Sequence, residues 1–194
     1  MRINAQEQIE GEYYLHGAME VATGFLLKPD STFQFFFSYG ALDREGSGKW
    51  FVKGKEVFFN SRPKPELDFA IIKAAVADNN FTILKILDSN KIILRYVFAF
   101  LKYPDTTIEE QANEEGEIKV NRKGAKEISL VFEFSPEKIS NFQVNKDNNY
   151  YEFKMEPSIM EVFFENFHLQ IESGTFKGKN PLLDDKEYKY EKSN

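Results

Sequence analysis

Hydrophobic and polar positions alternate along the chain in short runs broken by turn residues, the pattern expected of a sandwich or barrel. The clearest run is Thr32 to Tyr39. Phe33, Phe35, Phe37 and Tyr39 fall on one face, and Gln34, Phe36 and Ser38 on the other. A period of two with aromatic enrichment is a strand signal. Before it, Gly11 to Leu15 and Glu20 to Lys28 read as strands, the second stopped by the turn tripeptide Pro29-Asp30-Ser31. After it, Gly40 to Gly48 reads as a loop, and Lys49 to Val52 with Glu56 to Asn60 as a hairpin across Lys53-Gly54-Lys55. Arg62-Pro63-Lys64-Pro65 cannot join a central ladder. Strands follow at 67–76, 81–87 and 91–102. Over Phe69 to Ala77 the residues Ala70, Ala74, Ala75 and Ala77 equally suit a short helix.

After Tyr103-Pro104-Asp105 the runs shorten, and Glu and Lys alternate with Ile and Val. Glu109 to Asn113 and Glu117 to Asn121 flank the turn Glu114-Glu115-Gly116. Further runs are Glu127 to Phe134, Asn141 to Asn145, Tyr150 to Met155, Phe167 to Glu172 and Glu187 to Lys192. Lys146-Asp147-Asn148-Asn149 reads as a hairpin turn, and Pro157 to Phe164 suits one helical turn. The expectation is an all-β chain in two units, 1–95 and 96–194.

Composition adds an unusual aromatic load. Phe supplies 20 of 194 residues, and aromatic residues make up 15%. Rings in that number either pack a core or line a pocket. The net charge of −6 comes without a basic stripe, which argues against nucleic acid and anionic membrane surfaces as partners. The longest apolar run, Ile92 to Leu101, is interrupted by Arg95 and is shorter than the roughly 20 residues of a spanning helix. No membrane span is expected. Residues 1–15 contain no apolar core of a signal peptide, so the expected location is cytoplasmic, or periplasmic if an export signal has been removed.

The chemistry-bearing residues are sparse. With no Cys there is no disulfide, thiolate zinc site or cysteine nucleophile. His16 and His168 are the only histidines and lack metal-ligand spacing, so neither a metal nor a cofactor is expected. His16 and Glu20 on one strand would lie about 13 Å apart, which suits a surface pair better than a proton-transfer pair. Gly46-Ser47-Gly48 lacks the spacing of a nucleophile elbow. Asp43 and Glu45 suit a solvated turn better than a hydrolytic or calcium-binding pair. The chain is therefore expected to be non-enzymatic.

Gly11-Glu12-Tyr13, the hairpin Leu26 to Phe33, Gly48-Lys49-Trp50 and Glu56-Val57-Phe58-Phe59 together resemble a lipocalin-like (calycin) unit of uncharacterised bacterial proteins. The resemblance implies an antiparallel barrel over 1–95. Tyr13 would stand in place of the family's first-strand Trp, and Arg95 in place of the late-strand Arg that packs over it. Gln111, Asn113 and Glu115 to Val120 resemble small β-sandwich modules related to the carboxypeptidase regulatory domain. That likeness implies a small antiparallel sandwich, following the barrel, that supports or presents something else. The expected function is binding of a small apolar or aromatic ligand in the barrel. Tyr13, Phe35, Phe37, Tyr39 and Trp50 would form the walls, with His16 or Arg95 as the polar anchor. A barrel filled by its own side chains is the competing expectation. The alternative function is a protein partner, met by sandwich edge strands or by an exposed patch of Phe163, Phe164 and Phe167.

Overall fold

The computed structural model describes residues 9–40 and 42–193. Among these, the strands are β1 (Gly11–His16), β2 (Val21–Leu27), β3 (Thr32–Tyr39), β4 (Leu42–Lys53), β5 (Glu56–Asn60), β6 (Phe69–Ala75), β7 (Thr82–Leu87) and β8 (Val97–Lys102). They continue as β9 (Thr107–Gln111), β10 (Glu117–Val120), β11 (Glu127–Phe132), β12 (Ile139–Gln143), β13 (Tyr150–Met155), β14 (Phe167–Glu172), β15 (Thr175–Gly178) and β16 (Tyr188–Lys192). The chain is all-β, as its alternation implies.

One unit is an eight-stranded closed barrel in the order β1-β16-β15-β14-β5-β4-β3-β2, every neighbouring pair antiparallel. Each strand pairs with the next along the barrel's own path, so closure leaves no free edge. The turn after β2 forms where the sequence places it. Asp30 accepts from the Thr32 amide at 3.0 Å and from its hydroxyl at 2.5 Å, which holds the Asp30 carboxyl below its usual pKa. Ser31 takes a positive φ of 63°.

The second unit is Pro65–Ile159, so the chain divides differently from the expected halves at 95 and 96. The barrel is built from residues up to Lys64 and from Met160 onward, and the second unit is an insertion between β5 and β14 rather than a domain that follows. It holds two four-stranded sheets, β10-β7-β13-β6 and β12-β11-β8-β9. They pack as a sandwich: Phe142 of β12 meets Phe153 of β13 at 5.0 Å, and Leu84, Ile86, Leu101, Ile128 and Leu130 are fully buried. One pair, β13 with β7, is parallel, a departure from the antiparallel expectation.

The segment 67–76, whose sequence suits strand and a short helix alike, forms strand over Phe69–Ala75, because β6 finds a ladder partner in β13. Three assignments change. The expected loop at Gly40 to Gly48 is mostly strand, since β4 pairs with β3 from Leu42↔Tyr39 to Lys49↔Thr32. The expected strand at 91–102 starts only at Val97. Lys91–Tyr96 is a 3-10 helix, started by the Asn90 side chain accepting from the Ile92 amide at 3.1 Å. Lys146 to Asn149 joins strands of two different sheets and is not a hairpin turn.

Candidate functional site

The barrel interior is occupied by its own rings. Phe25 lies 4.5 Å from Phe59, 5.0 Å from Phe35 and 5.9 Å from Phe164, between ring centroids. Tyr13 stacks on Phe176 at 3.9 Å and donates to the Ile9 carbonyl at 2.8 Å. Trp50 is buried, with its indole N–H donating to the Lys28 carbonyl at 3.1 Å. Phe164 comes from the stretch before β14. It lies over β4 where Gly46 leaves room: a Cβ there would sit 2.7 Å from the Phe164 ring and 2.7 Å from the Val162 carbonyl.

Of the expected wall residues, Tyr13, Phe35, Phe37 and Trp50 all point into this core. Tyr39 does not. It ends β3 and is 51% exposed, because at the strand's last residue alternation no longer guarantees cover. His16 is also outside, with Nε2 3.7 Å from Glu191 rather than beside Glu20. Arg95 belongs to the other unit. Its guanidinium lies 4.9 Å over the Tyr96 ring, donates to the Tyr96 hydroxyl at 2.8 Å and stands 3.6 Å from Glu114. The late-strand cation facing Tyr13 is instead Lys192 of β16, with Nζ 5.9 Å from the ring centroid. The expected aromatic patch is not exposed either. Phe164 is buried, Phe167 packs against the core, and Phe163 is partly covered with Arg62 5.1 Å over its ring.

The outer face of the same sheet carries a cleft of about 570 Å³, within the size range of small-molecule sites. Alternation puts Glu12 and Tyr14 of β1, Gly24 and Leu26 of β2, Gln34 and Phe36 of β3, and Glu45 and Ser47 of β4 on that side. Gly24 is its pivot. A side chain there would strike the Tyr13 carbonyl, with Cβ 2.2 Å away, so the cross-strand neighbours Tyr14 and Phe36 close over the gap. Their rings meet edge to face at 5.8 Å and remain 40% and 37% exposed. Opposite them, Glu161 bridges to Glu45, and the Val162 amide donates to the Glu45 carbonyl at 2.7 Å. Arg62 grips both oxygens of Glu161, at 2.9 and 2.8 Å.

Three carboxylates and one guanidinium thus line the cleft, and Glu161 already neutralises Arg62. The Tyr14 hydroxyl donates to Glu12 at 2.9 Å, and this bond to a carboxylate raises the Tyr14 pKa. Asp43 is exposed on β4 beside buried Arg44, outside the cleft lining. Among the described residues no group of three or more His, Cys, Asp or Glu is placed to hold a metal ion, and no helix is long and apolar enough to cross a membrane. Sequence reasoning missed the cleft because its residues lie at 12, 34, 45, 62 and 161. The available signal was a glycine in the middle of β2, whose flanking strands carry Tyr14 and Phe36.

No protein-family model, curated protein or solved structure matches this chain.

Proposed function

We propose that the barrel unit is a non-enzymatic binding module that takes a small ligand on its outer face, in the cleft between Tyr14 and Phe36 on one side and the Arg62–Glu161 pair on the other. The observation that carries this reading is the contrast between the two sides of one sheet. Inside, Phe25 and Phe164 lie 5.9 Å apart, and each stands within 6.4 Å of both Phe35 and Phe59. Outside, two half-exposed rings and several polar groups surround open volume. A lipocalin-like ancestry agrees with the closed eight-stranded meander and with a late-strand cation over Tyr13. In this reading the barrel is a rigid scaffold and its bore is closed to ligands.

The test is amide chemical-shift mapping with a library of small fragments. Shifts clustering at Tyr14, Gly24, Phe36 and Glu45 are expected. Shifts at Phe33, Phe59 and Phe176, which belong to the core and not to the cleft lining, or none at any fragment, would overturn the reading.

A second reading, a protein partner at a sandwich edge, has one observation in its favour. The edge strand β6 and the residue just after it leave Ile71, Ile72 and Val76 exposed at 38%, 53% and 70%. Ile72 is the extra residue of a bulge against β13, and Lys73 follows it, two features that blunt an edge. Light scattering on the purified chain tests self-association through this edge. A dimer abolished by Ile72→Lys supports the second reading, and a monomer opposes it.

A further inference from the structure

We infer that the ligand class of the outer cleft is an organic cation, an ammonium or guanidinium group on a small apolar body; this rests on the cleft being a binding site. Three properties of the lining converge on that chemistry. The first is uncompensated negative charge. Arg62 is held by both oxygens of Glu161, while among the described residues neither Glu12 nor Glu45 makes an ion pair. Glu12 accepts only the neutral Tyr14 hydroxyl. An incoming cation would find a carboxylate at either side of the cleft, Glu12 on β1 and Glu45 on β4, without displacing a charged protein partner, whereas an anion would have to break the Arg62–Glu161 pair first.

The second property is the aromatic wall. Tyr14 and Phe36 are fixed edge to face over Gly24, so part of a ring face is turned to the open volume. Ring faces attract cations and hold their alkyl groups by contact, and quaternary ammonium recognition by aromatic side chains follows from this. Neutral or anionic aromatic ligands would gain the contact and lose the charge term. The third property is size. About 570 Å³ is far too large for a bare metal ion, and the lining offers no ligand cluster for one. Leu26 and Gln34, paired between Glu12 and Ser47 across the lining, suit an apolar body with one hydrogen-bonding group.

The experiment compares choline with 3,3-dimethylbutan-1-ol, its neutral isostere, by isothermal titration and by amide shift mapping on the full chain. Choline is expected to bind one to one, with shifts at Tyr14, Gly24 and Phe36. The neutral isostere is expected to bind at least about tenfold more weakly. Glu12→Gln with Glu45→Gln, both exposed or half-exposed positions, should weaken choline by about tenfold and remove most of its salt dependence, leaving the isostere unchanged. Phe36→Leu should weaken both. Equal affinity for the two probes at the cleft would overturn the cation assignment and leave the site standing. Shifts by choline only outside the cleft, or no binding of either probe, would also overturn the assignment, and the fragment mapping then decides separately whether the cleft binds anything.

Discussion

Phe164→Ala is the substitution that interrogates the filled barrel most deeply. The ring is buried and has five aromatic neighbours: Phe33 and Phe35 at 5.2 Å, Phe167 at 5.3 Å, Phe25 at 5.9 Å and Phe59 at 6.4 Å. Burying a Phe stabilises a fold by about 1.5–3 kcal/mol, and the cavity left by its removal brings Phe→Ala changes to about 3–5 kcal/mol. Four of the five neighbours are mounted on the paired barrel strands β2, β3 and β5, and Phe167 opens β14, so collapse into the gap is limited and a loss near 4–5 kcal/mol is expected. That is a large part of the 5–15 kcal/mol typical of a domain. Trp50 is the chain's single Trp and lies inside the barrel, so urea unfolding followed by its fluorescence reports this unit. The cavity should be apolar and dry, and benzene should raise the variant's unfolding midpoint while leaving the wild type unmoved. A loss below about 1 kcal/mol, or benzene stabilisation of the wild type, would refute the argument that Phe164 fills the bore.

Three further outcomes follow from the same packing. Gly46→Val should destabilise the barrel by more than about 3 kcal/mol, since even its Cβ would lie 2.7 Å from a core ring and a backbone carbonyl; a soluble variant with native circular dichroism and midpoint would contradict this. Burial pushes the Tyr13 and Tyr151 hydroxyls up to about 12 and raises Tyr190 as well. Unfolded tyrosine ionises near pH 10, so between about pH 10 and 12 the unfolded state loses protons first and stability falls as pH rises. Phenolate absorbance should therefore show these rings ionising only as the fold is lost. A single reversible wave of all nine tyrosines near pH 10, in a protein with native Trp50 fluorescence, would contradict this. In the sandwich, Lys138 donates to the Ser158 carbonyl, and its Nζ lies 3.2 Å from the Ile159 carbonyl and 3.9 Å from Asp68, with both charged side chains buried. Lys138→Met should destabilise by about 3–5 kcal/mol by leaving Asp68 uncompensated, and adding Asp68→Leu should recover much of that. Hydrogen exchange in peptides from 65–159 measures it, and unchanged protection in Lys138→Met would refute it.

The strand alternation made much of this fold legible. Phe33, Phe35 and Phe37 point inward as their spacing requires, and the turn at Pro29 to Ser31 forms between the strands that flank it. What the alternation could not carry was pairing. Strands β14 to β16 alternate like those of the sandwich, and only their registers with β5 and β1 reveal that they complete the barrel. The run through Arg95 is apolar enough for strand, and one capping bond from Asn90 turns its first half into a 3-10 helix; the expected polar anchor lies in the other unit because the barrel's first segment ends at Lys64. Gly46 and Gly48 read as loop residues because glycine usually is. Here each stands where a neighbour, Phe164 or the Asn60 carbonyl, already fills the side-chain space. The cleft was least legible, since no local pattern links Glu12 to Glu161.

The most direct test of ligand binding outside a filled barrel is native mass spectrometry of the chain recovered from its own cells, beside a Gln34→Trp variant whose exposed new ring would obstruct the cleft. A stoichiometric added mass in the wild type, lost on denaturation and missing from Gln34→Trp, is the expected result. A bare wild-type chain, or an adduct that persists in Gln34→Trp, would contradict it.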